Sequence, residues 1–586
     1  MDILNSINSP EDLQQLSYQE LAHLSSEIRD FLIEKVSANG GHLASNLGAV
    51  ELTIALERIY DSSRDRLVFD VGHQSYVHKI LTGRRDNFDA LRQYGGLSGF
   101  PKPAESQCDA FIAGHASNSV SVALGMARAR SLLAEEYEVA AIIGDGALSG
   151  GLAYEGLSNA GLSGEPMVVI LNDNEMSISQ NVGGIARVLS RLRVKSGYLE
   201  FKRNYRRVMR RFNALYLFIH HIKETIKRSL LPSNTFSEMG FYYLGPVDGH
   251  DIRQLESALI MAKEMHRPVL LHVKTKKGKG YPLAEADPKA YHGVSSFDPK
   301  IGVKKGCDCY SDVFGAHLCR LARENNRIVA ITAAMCDGTG LSQFEREFPA
   351  RLIDVGIAEG HAVSMAAGLA KQGVCPVFAV YSSFLQRGYD MLIHDVAILK
   401  LHVVLAVDRA GLVGADGETH HGVFDLSFLR SVPHMAILCP SSFAELQLML
   451  DMAINRINIP VAVRYPRGCE GRFKGSSANA PVVTLGEGDE AAIVVYGDMI
   501  NPALDALDIL KKQNVEARIV KLNIINPLDI DSILENCAPC RAVVVAEEVC
   551  DAGCVGHDIL AARRHGVRII NLGSGVVAHG TVPELL

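Results

Sequence analysis

The sequence predicts an α/β protein made of three doubly wound parallel-sheet domains. Three observations lead there. The chain has 586 residues, too many for a single core, so about three or four domains are expected. Apolar runs of strand length alternate with helix-length segments along its whole course, the pattern of parallel sheets covered by helices on both faces. Glycine is frequent, at 52 residues, which suits the many turns of such a fold.

The elements fall into three blocks. In the first, 1–308, strands are expected at 66–70, 139–143, 167–171 and 269–274. In the second, 309–484, they are expected at 327–331, 377–380, 402–407 and 436–438, and a polar linker over 467–479 closes the block. The third, 485–586, carries them at 491–496, 516–521, 542–546 and 568–571.

The bulk composition, 47% hydrophobic and 21% charged, is that of a soluble globular protein. A net charge of −7 gives no general attraction to nucleic acid or to a membrane surface. No stretch approaches the roughly 18 apolar residues of a membrane span. The start, Met1-Asp2-Ile3-Leu4-Asn5-Ser6, lacks a basic region followed by an apolar one, so the expectation is no signal peptide and a cytoplasmic protein. In that setting the twelve cysteines should be reduced. Cys537, Cys540, Cys550 and Cys554 read as zinc ligands, a redox pair or ordinary thiols. The strand expected at 542–546 puts the two pairs at opposite ends, which favours ordinary thiols.

One segment stands apart. Residues 187–228 hold thirteen Lys or Arg against two acidic residues. A nucleic-acid arm is one reading; a solvated helical insertion over a site for anionic ligands is the other. Sparse aromatic interleaving and the acidic whole chain favour the second.

The chemistry begins at Gly144-Asp145-Gly146, which closes the apolar run from Val139 to Ile143. A helix-like segment and a second apolar run follow, ending in Asn172-Asp173-Asn174. In an open parallel sheet, Asp145 and Asn174 would both project at the carboxyl edge, where such folds bind ligands. A carboxylate and an amide oxygen make a hard oxygen site suited to Mg²⁺ with ligand phosphates. The glycines allow close backbone approach to a diphosphate. The spacing resembles the metal–diphosphate motif of thiamine diphosphate enzymes.

A second constellation is Asp354-Val355-Gly356-Ile357-Ala358-Glu359-Gly360-His361, where Glu359 ends a short apolar run and opens a helix. A glutamate there can simply complement the helix dipole. A thiamine cofactor, however, needs a buried carboxyl group beside its aminopyrimidine ring to move a proton, and a desolvated carboxyl has the raised pKa for that task.

Longer phrases narrow the reading. Gly41-His42-Leu43-Ala44-Ser45-Asn46-Leu47-Gly48, Asp70-Val71-Gly72-His73-Gln74 and Tyr243-Leu244-Gly245-Pro246-Val247-Asp248-Gly249-His250 lie in the first block. Tyr381-Ser382-Ser383-Phe384-Leu385-Gln386-Arg387 and Asp408-Arg409-Ala410-Gly411-Leu412-Val413-Gly414-Ala415-Asp416-Gly417 lie in the second. In these phrases and their order the chain resembles the 1-deoxy-D-xylulose-5-phosphate synthase family of transketolase-like enzymes along nearly its whole length.

The resemblance implies a diphosphate-binding block, then a pyrimidine-binding block, then a C-terminal domain. It implies thiamine diphosphate and Mg²⁺ as cofactors, pyruvate and glyceraldehyde 3-phosphate as substrates, and a homodimer. The product of the family feeds isoprenoid precursors and, in many bacteria, thiamine and pyridoxal synthesis. Carried over residue by residue, Asp145, Asn174 and the Met176 carbonyl would hold Mg²⁺. His73, Gly114, His115, Ala116, Gly146, Ala147 and Tyr281 would contact the cofactor, and Glu359 would pair with its pyrimidine. His42 and His420 would line the reacting carbons as proton donors or acceptors, with Asp416 and His292 nearby. Tyr381, Arg409 and Arg467 would hold the acceptor phosphate, a role that suits the planar fork of arginine. Arg464, His78 and Lys79 read as structural neighbours of these motifs.

The chain also departs from the family pattern. Gly360 stands where a glutamine usually follows the catalytic glutamate, Ala116 where serine is usual, Cys336 where proline is common, and Phe69 where tryptophan is usual. The carboxyl end comes soon after His579-Gly580, where relatives usually run on for another helix. Two other readings follow: a transketolase moving a two-carbon ketol unit, and a non-catalytic paralogue.

Overall fold

The computed structural model describes residues 2–174, 235–304, 306–478, 480–563 and 565–586. Met176 and the basic segment 187–228 lie outside the described residues. The chain divides into two compact units, Met1–Leu91 with Leu97–Val303, and Arg92–Gly96 with Lys304–Leu586.

The first unit is built on one parallel sheet. Its strands are β1 (Arg66–Phe69), β2 (Val139–Gly144), β3 (Met167–Asp173), β4 (Tyr242–Asp248) and β5 (Pro268–Lys274), in the order β1-β2-β3-β5-β4. β2 and β3 are apolar on consecutive residues because helices cover both faces and leave no solvent side. The helix Tyr18–Asn39 starts at a capping box, in which the Glu20 backbone N–H donates to Ser17 and Ser17 donates back to the Glu20 carboxylate.

The second unit holds two sheets. The larger contains β6 (Ile328–Thr332), β7 (Leu352–Asp354), β8 (Cys375–Tyr381), β9 (Val404–Asp408), β10 (Ala436–Leu438) and β11 (Val461–Arg464). The smaller contains β12 (Val482–Leu485), β13 (Ala491–Val495), β14 (Ala517–Leu522), β16 (Ala542–Glu547) and β17 (Val567–Asn571). Between β14 and β16, β15 (Ile524–Asn526) leaves the smaller sheet and pairs antiparallel with β10 at the edge of the larger one. β12 runs antiparallel to β14, and the remaining pairs in both sheets are parallel.

The α/β architecture with parallel-dominated sheets is as expected, and the antiparallel edges β12 and β15 are additions to it. β4, β7, β11, β12 and β15 are absent from the sequence expectation. β4 is broken by Gly245-Pro246, where its register against β5 shifts, and β7 and β15 are three-residue strands at the two edges of the larger sheet, where pairing depends on a tertiary partner.

Cys307 and Cys469 are brought side by side: the Tyr310 N–H donates to the Gly468 carbonyl at 3.0 Å, and the two cysteine Cα atoms lie 6.3 Å apart, within the reach of a disulfide. Cys537 and Cys540 precede β16 while Cys550 and Cys554 follow it, so the two pairs flank one strand as anticipated.

Candidate active site

In the first unit the chemistry gathers at the carboxyl ends of β2 and β3. Gly144 is in register with Asn172, and the Asp145 N–H donates to the Asn172 carbonyl at 3.2 Å. Asp145 is buried, and Asn174 is half-buried just past the end of β3. Adjacent parallel strands therefore deliver both proposed oxygen ligands to one sheet edge. Asn172 is held from two sides, donating to Gln74 Oε1 at 2.8 Å and accepting from Thr275 Oγ1 at 2.6 Å. Next to Asp145 lies a buried lysine, Lys277; burial pushes its ammonium down to about 8, and the Asp145 carboxylate works against that.

Three of the singled-out histidines form one cluster. The ring centroids of His42 and His73 are 5.9 Å apart, those of His42 and His292 5.7 Å, and those of His73 and His292 5.2 Å. Asn46 sets the cluster: its amide donates to the His42 carbonyl at 2.6 Å and the His73 carbonyl at 2.9 Å, and its oxygen accepts the Tyr76 N–H at 2.8 Å. Burial, then the His42 and Lys277 charges, hold His73 well below the usual imidazole range, so it is neutral. Its Nδ1 is buried without a hydrogen-bond partner among the described residues. The loop of Gly114, His115 and Ala116 is anchored by Asp70, whose carboxylate accepts the Ser117 N–H at 2.8 Å and the Ser119 N–H at 3.1 Å. Gly72 has φ +82°, and a Cβ there would fall 2.5 Å from Pro101 Cδ and 2.7 Å from Ala113 Cβ, so only glycine turns this corner. Gly146 and Ala147 open the turn after β2, where the Ala147 carbonyl accepts from Ser117 Oγ at 2.8 Å. Tyr281 is buried with its hydroxyl donating to the Pro299 carbonyl at 2.7 Å.

In the second unit Glu359 opens the helix Glu359–Lys371 and is 3% exposed. Burial raises its pKa, and Arg387, with Nη1 at 3.5 Å, pulls the other way. The missing side chain at Gly360 leaves room filled by Met391, whose Cε would lie 3.0 Å from a Cβ there. The other singled-out residues form a separate basic cluster. The Arg409 guanidinium lies over the Tyr381 ring at 3.8 Å, and Arg467 Nη1 donates to the Val413 carbonyl at 2.9 Å. The His420 ring is 5.5 Å from that of Phe384, which is 5.8 Å from that of Tyr381. Arg464 is buried and donates through Nε to Asp425 at 2.8 Å, so it acts as a structural ion pair.

These donors fit the implied groups. Asp145 and Asn174 are the hard oxygens that Mg²⁺ takes, a Cβ at Gly144 would meet nothing within 4 Å, and Glu359 is the desolvated carboxyl that an aminopyrimidine needs.

The chain is similar to known proteins along nearly its whole length. The family model for 1-deoxy-D-xylulose-5-phosphate synthase matches residues 4–275. Those for the transketolase pyrimidine-binding and C-terminal domains match 309–469 and 481–578. A 1-deoxy-D-xylulose-5-phosphate synthase of Caldanaerobacter subterraneus is 50% identical over 95% of this chain and 91% of its own length. That of Natranaerobius thermophilus is 47% identical over 96% and 92%, and that of Clostridium acetobutylicum 45% over 100% and 97%. The chain belongs to the 1-deoxy-D-xylulose-5-phosphate synthase family.

Burial and hydrogen bonding mark three residues that sequence reasoning passed over. Arg92 is buried and donates to Asp416 Oδ1 at 2.6 Å across 324 positions of sequence. It sits in Leu91-Arg92-Gln93-Tyr94, where nothing in the pattern marks it. Lys277 lies in a run of lysines, and only burial beside Asp145 distinguishes it. Asn46 was inside a quoted phrase, four residues after His42, and that spacing was the available signal.

Proposed function

We propose that this chain condenses pyruvate with D-glyceraldehyde 3-phosphate, giving 1-deoxy-D-xylulose 5-phosphate and carbon dioxide with uptake of one proton, the first step toward isoprenoid precursors. The observation that carries the reading is the full-length likeness to synthases of that name, at 45–50% identity. The geometry agrees with it where the chemistry is most demanding, at the buried carboxyl of Glu359.

Thiamine diphosphate, when bound, supplies a nucleophilic carbon and an electron sink for loss of carbon dioxide. In this reading Asp145, Asn174 and the Met176 carbonyl hold Mg²⁺. His73, the Gly114–Ala116 loop, Gly146, Ala147 and Tyr281 contact the cofactor, and Lys277 offsets the diphosphate charge. Glu359 holds or releases a proton at the pyrimidine because burial keeps its neutral form accessible. Arg409, Arg467 and Tyr381 bind and orient the acceptor phosphate. His42 and His420 move protons at the carbonyl oxygens, with His292 and Asp416 beside them. The same reading includes a homodimer, checked by light scattering, and a cytoplasmic location.

The test is direct. Purified protein with thiamine diphosphate, Mg²⁺, pyruvate and glyceraldehyde 3-phosphate should release carbon dioxide and form the five-carbon product. Turnover only of xylulose 5-phosphate with ribose 5-phosphate would make it a transketolase, and cofactor binding with no turnover would make it a non-catalytic paralogue. Asp145→Ala should lose Mg²⁺-dependent cofactor binding, read by calorimetry without any substrate.

A further inference from the structure

The β16–β17 segment of the second unit carries none of the residues assigned above, yet it grips the loop that carries several of them. The loop 411–422 is closed at its base by paired hydrogen bonds, Gly411 N–H to Gly422 O at 3.0 Å and Gly422 N–H to Gly411 O at 2.7 Å. Asp416 and His420 lie inside it, and Arg409 lies just before it. Glu548, directly after β16, is buried against this base. Its Oε2 accepts the Leu412 N–H at 3.0 Å. Its carboxyl group packs flat on Gly411, where a Cβ would fall 2.3 Å from Glu548 Cδ and φ is +79°. A second grip lies farther along. The Val413 N–H donates to His421 Nδ1 at 3.1 Å, so Nδ1 is an acceptor and Nε2 carries the proton, which it donates to the Ala578 carbonyl at 3.0 Å. The Val413 carbonyl, one peptide from the Glu548 contact, accepts from Arg467 at 2.9 Å. A shift of the backbone at Leu412–Val413 therefore moves an arginine of the acceptor cluster.

We infer that Glu548 is a positioning residue for acceptor binding: it fixes the Gly411–Val413 backbone and, through the Val413 carbonyl, the Arg467 guanidinium. The inference rests on the functional reading above, since it is that reading which gives Arg467 and the loop an acceptor phosphate to hold. Glu548 acts through the loop and touches no substrate. Misplacing a binding group by a fraction of its length is enough for a large kinetic effect.

Two measurements test it. In steady-state kinetics, Glu548→Ala should raise KM for glyceraldehyde 3-phosphate by about tenfold, with KM for pyruvate changed less than about twofold. Glu548→Gln keeps an oxygen that can accept the Leu412 N–H and should recover most of the loss. Equal changes in both KM values, no change in either, or a glutamine variant as impaired as the alanine one would overturn the inference. In amide hydrogen exchange without substrate, residues 411–413 should exchange faster in Glu548→Ala than in the parent protein, while β13 (Ala491–Val495) stays unchanged. Unchanged exchange at 411–413 would overturn the anchor whatever the enzyme's activity. A parent protein inactive on pyruvate and glyceraldehyde 3-phosphate, with the exchange difference present, would instead fail the functional reading and leave the anchor standing. Should Glu548→Ala not fold, Glu548→Asp, which withdraws the carboxyl by one methylene, carries the same comparisons.

Discussion

The first unit holds Asp145 and Asn174 at the ends of strands, whereas the second carries Asp416 and His420 on a loop. Asp145 and Asn174 stand where they do because β2 and β3 are neighbours in a parallel sheet, and their hydrogen-bond ladder fixes the register. The loop 411–422 has no ladder beyond its base. Its geometry comes from contacts distant in sequence: the Arg92 side chain on Asp416, the Glu548 side chain on Leu412, and the loop's own His421 on the Ala578 carbonyl. A strand end is set by the fold as a whole; a loop has to be held, and single side chains can release it.

The sharpest test of this contrast is at Glu359, which combines both styles, a helix start with an ion partner. Glu359→Ala should lower kcat by roughly 10²–10⁴-fold, the usual worth of a positioned acid or base, while Mg²⁺-dependent cofactor binding survives in calorimetry. Retention of near-normal kcat would remove Glu359 from proton transfer.

A prediction of stability sharpens the first half of the comparison. Behind the His73 phrase, His78 is buried between Glu57, at 2.6 Å, and Asp109, at 3.0 Å. Burial alone would lower its pKa, but the two carboxylates outweigh that and raise it to about 9. The folded-state value is thus above the unfolded value near 6.5, so the charged histidine stabilises the fold fully below about pH 6.5. That stabilisation, on the order of 3 kcal/mol, is lost as pH rises through 9. The melting temperature of the parent protein should therefore fall more between pH 6.5 and 9.5 than that of His78→Gln. Parallel pH profiles would refute the assignment.

The loop half is tested by Arg92→Ala. Removing the arginine leaves the Asp416 carboxylate, largely buried, without this ion pair. Breaking a buried pair is costly locally, and here the cost should appear as displacement of the loop. KM for glyceraldehyde 3-phosphate should rise about tenfold while KM for pyruvate changes little. An equal effect on the two substrates would show that Arg92 supports the fold at large.

The same contrast explains what the sequence could and could not reveal. The strands β2, β3 and β9 were legible because each is a run of consecutive apolar residues buried on both faces, and β16 because its apolar run is buried on alternate residues. Motifs at their ends were legible with them: Gly144-Asp145-Gly146, Asn172-Asp173-Asn174 and the start of the Asp408 phrase. Short edge strands such as β15 were hidden because edge pairing depends on a tertiary partner. Arg92, Lys277 and Glu548 were hidden for a related reason. A charged residue is marked as unusual only when it is buried, and burial is a property of the folded chain.

The smallest expected effect is at Gly360, where this chain departs from the family beside its most demanding residue. Burial raises the pKa of Glu359, while Arg387 and a backbone hydrogen bond at Glu359 lower it. None of these is supplied by a side chain at 360. A glycine within a helix costs about 1 kcal/mol relative to better helix formers, so replacing it should stabilise the helix if the new side chain fits. It does fit at its root, because the nearest atom to a Cβ there is Met391 Cε, at 3.0 Å, the far end of a flexible side chain. Gly360→Gln, which restores the residue usual in the family, should therefore leave kcat within about twofold and raise the melting temperature slightly. A tenfold gain in kcat, or a shift of its acidic limb, would instead show that residue 360 tunes Glu359 directly. The state of that carboxyl would then be set by its sequence neighbour as well as by burial and Arg387, narrowing the contrast between locally and distantly held groups.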